Sequence, residues 1–79
     1  MPIFVTIAET RTGIVLYADN GRRYRTDEDD PRLAFDEVQS AIDFSRSHAC
    51  LFPDRECIIT DDAGTCLHVF RIMPQPYDR

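Results

Sequence analysis

The sequence contains no lysine and no tryptophan, and it has only three glycines. All nine of its basic residues are arginines, and 14 acidic residues outweigh them, so the formal net charge is −5. An acidic surface repels phosphate backbones, which argues against a general nucleic-acid-binding protein. The lack of lysine by itself indicates no function.

Long hydrophobic runs are also missing. No apolar stretch approaches the ~20 residues that a membrane span needs. The first ten residues, MPIFVTIAET, lack the basic region, the long apolar core and the small-residue cleavage site of a signal peptide. The cysteines are an odd number, Cys50, Cys57 and Cys66, which favours reduced thiols. We therefore expect a cytoplasmic protein without disulfides.

Length and composition predict one domain. The chain has 79 residues, 43% of them hydrophobic, and shows no internal repeat or low-complexity tract. A chain of this size buries only about 60% of the surface of its unfolded state, so we expect marginal stability. The domain spans residues 1–79, and the proline-containing tail 74–79 is expected to be frayed.

One segment, Asp36 to Cys50, has the spacing of a helix. Its apolar and small residues fall on one side at intervals of three and four, while charged residues take the other side. That stripe consists of Val38, Ala41, Ile42, Ser45 and Ala49. Asp36 and Gln39 have the spacing of a capping box, which would start the helix, and Pro53 prevents its continuation.

The remaining chain predicts short strands. β-branched and apolar residues mark five of them, and a single helix lies between the third and the fourth. This order, β-β-β-α-β-β, predicts an α+β two-layer sandwich in which one helix covers one face of a mostly antiparallel sheet of four to five strands. The strand segments are Ile3 to Ala8, Ile14 to Ala18, the residues following Asn20-Gly21, Glu56 to Thr60, and Thr65 to Met73.

Turn signals predict two hairpins. Asn20-Gly21 is typical of a type I′ turn, which would place Tyr17 opposite Tyr24 and Leu16 opposite Arg25, with the tyrosine face toward the core. In the second hairpin, Gly64 suits a left-handed position. Between the two, the acidic segment Asp27 to Pro31 is interpreted as a solvated loop.

A second apolar sheet face predicts association. The strands carry apolar side chains on both faces, yet one helix covers only one, and an exposed apolar face of several hundred Å² is usually an interaction surface. We therefore expect a homodimer that stacks sheets or joins edge strands. Tyrosine and arginine are enriched at binding hot spots, so the predicted interface residues are Tyr17, Tyr24, Arg23 and Arg25, with Phe70 as a further anchor.

The segment from Phe35 to about Ile72 resembles a group of small bacterial domains of unknown function. The resemblance rests on the helix start F-D-E-V-Q-S-A-I-D-F-S-R and the hairpin I-I-T-D-D-A-G-T, and it covers about half the chain. These domains combine a strand hairpin, a helix and a closing hairpin with D-x-x-G, although the early tryptophan of that pattern is absent here. The resemblance implies this fold and no activity.

A thiol and histidine site is one alternative. Pairing Thr60 with Thr65 would bring Cys57, Cys66 and His68 onto one face, and these are ligand types for zinc. However, the Cys-x2-Cys spacing is absent, and a fourth ligand would have to be assumed. Cysteines also behave as small core residues, so no metal or other cofactor is expected. A catalytic cysteine would need a neighbouring histidine, and the two candidate pairs are Cys57 with His68 and Cys50 with His48. Neither pair comes with a recognisable oxyanion loop, so no enzymatic activity is expected.

Nucleic-acid binding is the other alternative. Arg22, Arg23 and Arg25 beside Tyr17 and Tyr24 resemble a stacking platform with phosphate-binding guanidinium groups. The same pattern is typical of a solvated edge strand whose charges prevent aggregation. The hypothesis that best fits the sequence is therefore a non-catalytic protein–protein interaction module that acts as a homodimer.

Overall fold

The computed structural model describes residues 2–17, 21–24 and 30–72. Their strands form one antiparallel five-stranded sheet, and a single helix packs against it. This confirms the predicted α+β architecture and element order. The elements are β1 (Ile3–Glu9), β2 (Val15–Leu16), β3 (Leu33–Phe35), α1 (Val38–Leu51), β4 (Arg55–Thr60) and β5 (Cys66–Arg71).

β1 is the central strand of the sheet. It pairs with β4 along one side, while β2 and β3 share its other side. β5 pairs with the other side of β4, so the order across the sheet is β2-β1-β4-β5. β3 pairs with β1 on the same side as β2, at the other end of β1. Among the described strands, β5 therefore lies at the edge of the sheet. In the described residues, no helix is long and apolar enough to cross a membrane.

The core lies between α1 and one face of the sheet. Side chains alternate across a strand, so Ile3, Val5 and Ile7 of β1 all point to the helix side. Their partners in β4 and β2 continue this layer, because residues opposite each other share a face. The buried cluster consists of Ile3, Val5, Ile7, Leu16, Ala41, Cys57 and Ile59.

The helix begins later than predicted. Its first residue is Val38, and Glu37 is the N-cap residue without a side-chain cap hydrogen bond. The predicted capping box of Asp36 and Gln39 is wrong, because the Gln39 side chain instead donates to the Asp43 carboxylate at 3.0 Å. An exposed i,i+4 contact between side chains has replaced the expected contact with the backbone.

Small residues form the buried side of α1. Ala41, Ser45 and Ala49 are buried as predicted, and they allow the helix to approach the sheet closely. Val38 is exposed, so its place in the predicted stripe is wrong. His48, which was not part of the predicted stripe, is buried.

The first hairpin has a longer loop than predicted. Leu16 lies opposite Arg23, not Arg25, because Tyr17 N donates to Arg22 O at 2.8 Å and Gly21 N donates to Tyr17 O at 2.9 Å. A slip of two residues keeps every side chain on its predicted face. The core face was nevertheless wrong, because Leu16 is buried and the tyrosine side faces away from α1.

The third strand is also a different segment. The arginine segment forms only an isolated bridge in the described residues, and Leu33–Phe35 supplies β3 by pairing with β1. Of the predicted acidic loop, 27–29 lie outside the described residues, as does the tail 74–79. Asp30 forms an ion pair with Arg32 at 2.8 Å.

The second hairpin contains a bulge. Gly64 has φ 86°, as predicted, and Asp61 Oδ1 accepts hydrogen bonds from Ala63 N and Thr65 N. Thr60 faces Cys66 while Ile59 faces His68, so Leu67 is an extra residue in β5. The predicted pairing of Thr60 with Thr65, which would have brought Cys57, Cys66 and His68 onto one face, is therefore wrong.

Candidate functional site

Two of the predicted interface residues meet on the side of the sheet away from α1, here called the open face. The rings of Tyr17 and Tyr24 contact edge to face, with centroids 6.1 Å apart. The Arg22 guanidinium lies over the Tyr17 ring at 5.0 Å. An aromatic pair with a cation therefore exists, and its cation is Arg22, which belongs to the predicted Arg/Tyr platform but not to the predicted interface set.

The other predicted interface residues lie elsewhere. Arg23 lies opposite buried Leu16 on the helix side, and its Nη2 is 3.8 Å from Glu9 Oε1. Phe70 packs against the core on the helix side, because it pairs with Cys57. Arg25 lies outside the described residues. The predicted set therefore does not form one surface.

Cations of the same chain cover aromatic rings on the open face. The Arg32 guanidinium lies 4.1 Å from the ring centroid of Phe4, and the Asp30 carboxylate holds it through contacts of 2.8 to 3.1 Å. Arg22 covers Tyr17 in the same way. Each cation–π contact contributes about 0.5–1 kcal/mol at an exposed site, and a partner would have to displace it.

A polar pair lies between the edge strand and β4. Glu56 and Arg71 are opposite each other in the β4–β5 ladder, and Glu56 Oε1 is 3.4 Å from Arg71 Nε. Glu56 is buried although its side chain belongs to the open face. Because a buried carboxylate requires a cation nearby, this pair favours the observed register of β5.

The outer side of β5 is uncharged over all of its residues except the last, Arg71. Its residues Cys66 to Phe70, C-L-H-V-F, carry no formal charge at neutral pH. Leu67 and Val69 are 38% and 42% exposed. Across the described ranges, β5 pairs with β4 alone. Such an edge is a template for another strand, and proteins usually block it with charge or proline. Sequence reasoning did not identify this strand as the edge, although the uncharged run was a signal.

The structure separates the candidate thiol ligands. Cys57 is fully buried, and burial raises the pKa of its thiol to about 11. Cys66 is exposed, with its Sγ 3.9 Å from the backbone O of His68. Within the described parts of the chain, no three His, Cys, Asp or Glu residues are grouped so that they would hold a metal. A thiol with a raised pKa is a poor nucleophile at neutral pH.

The histidine of α1 is part of an aromatic column. The His48 ring stacks on Phe44 at 5.4 Å and contacts Phe52 at 4.7 Å. Arg55 Nη1 lies 3.4 Å from His48 Nε2, and the Arg55 guanidinium also lies over the Phe52 ring at 4.1 Å. Since arginine can only donate, His48 Nε2 is the acceptor. Burial and the Arg55 charge both lower the pKa of His48.

This arrangement predicts a loss of stability in mild acid. The pKa of His48 lies below its usual value of 6.5 in the folded state, so the unfolded chain binds the proton more tightly. The contribution of a neutral His48 to the free energy of unfolding is complete above pH 6.5. It declines as the pH falls from there toward the folded-state pKa. His48→Gln retains a hydrogen-bond acceptor and removes the titration. Urea unfolding at pH 7.5, 6.5 and 5.5 should show a smaller decline for the variant than for the wild type, and equal declines would contradict the assignment.

A cavity of about 450 Å³ lies beside the β1–β2 turn. Its wall mixes charges of both signs, and several of them are already paired. The Thr12 hydroxyl donates to Glu9 Oε1 at 2.7 Å, and Arg23 contacts the same carboxylate. The cavity therefore offers no excess charge of one sign to a ligand. Its lining consists of Glu9, Arg11, Thr12, Arg23 and Asp54.

Of the surfaces described, only the outer side of β5 combines exposed apolar side chains, no formal charge over five residues and a backbone edge. It can accept a further strand through backbone hydrogen bonds, which is a recurring mode of protein recognition. Comparison with known proteins found no matching family model, no matching curated protein and no matching solved structure.

Proposed function

We propose that this chain is a non-catalytic, cytoplasmic protein–protein interaction module that acts as a homodimer through the outer edge of β5. The observation that carries the proposal is the uncharged edge from Cys66 to Phe70, with Leu67 and Val69 exposed. Main-chain hydrogen bonds would supply affinity, and the alternating side chains would supply specificity.

The edge is preferred over the open face because of what covers each surface. On the open face, Arg32 lies over Phe4 and Arg22 lies over Tyr17, so binding there must first displace contacts within the chain. Phe4 and Ile58 are also half-buried. Leu67 and Val69, by contrast, are exposed. A partner strand therefore meets less competition at β5.

The absence of catalysis is supported by the surroundings of the reactive side chains. The Cys57 thiol is buried and its pKa is raised, and the His48 ring is enclosed by two phenylalanine rings and Arg55. A nucleophile and its base must lie within hydrogen-bonding reach of each other and of a substrate. Neither side chain meets that condition here.

The proposal predicts that a charge on the β5 edge prevents association. Light scattering over a dilution series should give the wild type a mass of about 18 kDa, twice that of the 9.1 kDa chain. Val69→Glu should weaken the dimer by about 100-fold, because a carboxylate on the edge opposes strand pairing and like charges across an interface cost several kcal/mol.

Leu51→Glu is the matched control for this experiment. Leu51 is an exposed apolar residue at the end of α1 and is not part of the sheet, so its replacement should leave the mass at about 18 kDa. A wild type that remains a monomer up to millimolar concentration would contradict the homodimer. A dimer that Val69→Glu leaves intact would move the interface away from β5.

Nucleic-acid binding is the second candidate, because Arg22 lies over Tyr17 and the Tyr17 and Tyr24 rings contact edge to face on the open face. The net charge of −5 opposes it. A salt-dependent affinity for single-stranded RNA that falls in the variant Arg22→Ala would favour this candidate over the interaction module.

A further inference from the structure

We infer that the strand bound at the edge is β5 of a second copy, paired antiparallel so that Val69 faces Val69 of the partner subunit across the two-fold axis. This inference rests on the proposed function and specifies its partner and its register. It follows from the symmetry of paired strands, from the bulge in β5 and from the position of the single charge on that strand.

Symmetry restricts the register first. When two copies of one strand pair antiparallel, their two-fold axis is perpendicular to the sheet, so each residue keeps the same face in both copies. Directly opposed residues also share a face. A residue can therefore be opposed only by itself or by residues an even number of positions away, and one residue must lie on the axis.

The bulge in β5 then determines which residue lies on the two-fold axis. His68 to Arg71 follow one continuous register with β4, whereas Cys66 faces Thr60 with Leu67 as the extra residue. An axis at His68 would oppose Cys66 to Phe70, and the bulge has placed these two on different faces, since Cys66 faces Thr60 and Phe70 faces Cys57.

Positions further along β5 are less favourable. An axis at Phe70 pairs only the last three residues of the strand, and an axis at Arg71 sets two guanidinium groups against each other. An axis at Val69 pairs all residues from Leu67 to Arg71, which is the complete β5 strand beyond Cys66. This register therefore forms the longest ladder without crossing the bulge.

The side chains are compatible with this register. On the open face, Val69 meets the partner's Val69, and Leu67 meets the aliphatic part of the partner's Arg71. On the helix side, His68 meets the partner's Phe70, next to its own Phe70 ring at 6.0 Å. Arg71 keeps Glu56 as its ion-pair partner at 3.4 Å, and the two Arg71 residues lie roughly 13 Å apart along the ladder. No like charges are opposed.

Disulfide trapping tests the register directly. In a chain with Cys50→Ser and Cys66→Ser, which leaves only the buried Cys57, Val69→Cys is compared with Leu67→Cys. The two positions have matched exposure, 42% and 38%. Residues facing each other across an antiparallel ladder have Cα atoms about 4.5–5.5 Å apart, within disulfide range, whereas the two Leu67 residues would lie roughly 13 Å apart.

The expected result is that mild oxidation links most of the Val69→Cys protein and little of the Leu67→Cys protein. A bismaleimide with a spacer of about 13 Å should link Leu67→Cys, which shows that this variant is folded and assembled. If the unoxidised protein is a dimer but Leu67→Cys forms a disulfide at least as fast, the register is overturned while the proposed function stands. If the unoxidised protein is a monomer, both are overturned.

Discussion

Replacing Ile59 with alanine is expected to lower the free energy of unfolding by about 3 kcal/mol, the largest effect of the substitutions considered. Ile59 is fully buried and lies in the layer between the sheet and α1, opposite Val5 in β1. The substitution removes three carbons from a packed layer and leaves a cavity that neighbouring strands cannot close. Urea unfolding followed by circular dichroism measures the change.

Ile58 provides the matched control, because it is the same residue type in the same strand and points to the opposite face. Ile58 is half-buried, so Ile58→Ala should cost about 1 kcal/mol, close to the transfer free energy of the buried part of the side chain alone. Equal losses for the two variants would mean that the open face is as well packed as the helix side, which would contradict the two-layer arrangement.

Replacing Ala41 with leucine is the second large effect, and the expected cost is about 2–3 kcal/mol. Ala41 is completely buried in the small-residue side of α1, together with Ser45 and Ala49. A leucine there must displace the helix from β1 and β4, because a close-packed interior leaves no room for three additional carbons. Thermal and urea unfolding should both show the loss.

Ser47→Leu adds a similar side chain to the same helix on its exposed side. It should change the free energy of unfolding by no more than about 0.5 kcal/mol, since exposed substitutions rarely do more. Leucine has a higher helix propensity than serine, so propensity would not explain a loss at this position. If Ser47→Leu destabilised the protein as much as Ala41→Leu, the loss would not be specific to the buried side of α1, which would contradict the close helix–sheet contact as its cause.

Alternation and turn chemistry allowed much of the fold to be predicted from sequence. The β-branched alternation of Ile3, Val5 and Ile7 correctly assigned β1, and Asp61 with Gly64 correctly located the second turn. These features are local, because each depends on side chains within a few residues of one another. The order of elements followed from them.

The strand registers and the strand order could not be predicted from the sequence. The shift at the first hairpin comes from a loop closed between Tyr17 and Arg22, and the bulge at Leu67 comes from pairing between strands. Both depend on contacts between segments and leave the alternation of side chains nearly unchanged. For the same reason β5 was not recognised as the edge, and Phe70 was assigned to an interface although it packs on the core.

The histidine of α1 shows a related limit. A histidine in the last turn of a helix normally indicates a favourable contact with the helix dipole. Here His48 lies between Phe44 and Phe52, four residues before and after it, and beside Arg55 at the start of β4. The spacing of the two phenylalanines is visible in the sequence, but the burial of His48 depends on the packing of α1 on the sheet, which spacing along the helix does not show.

The central position of β1 has a consequence for how the chain acquires its structure. β1 precedes all other elements in sequence, yet its longest pairing is with β4, which follows the helix. Bringing these distant segments together costs conformational entropy before the hydrogen bonds between the strands form. We therefore expect this domain to fold slowly for its size. Until β4 has been synthesised, the uncharged segment I-F-V-T-I-A has only short strands to pair with, so we expect it to be prone to aggregation at that stage.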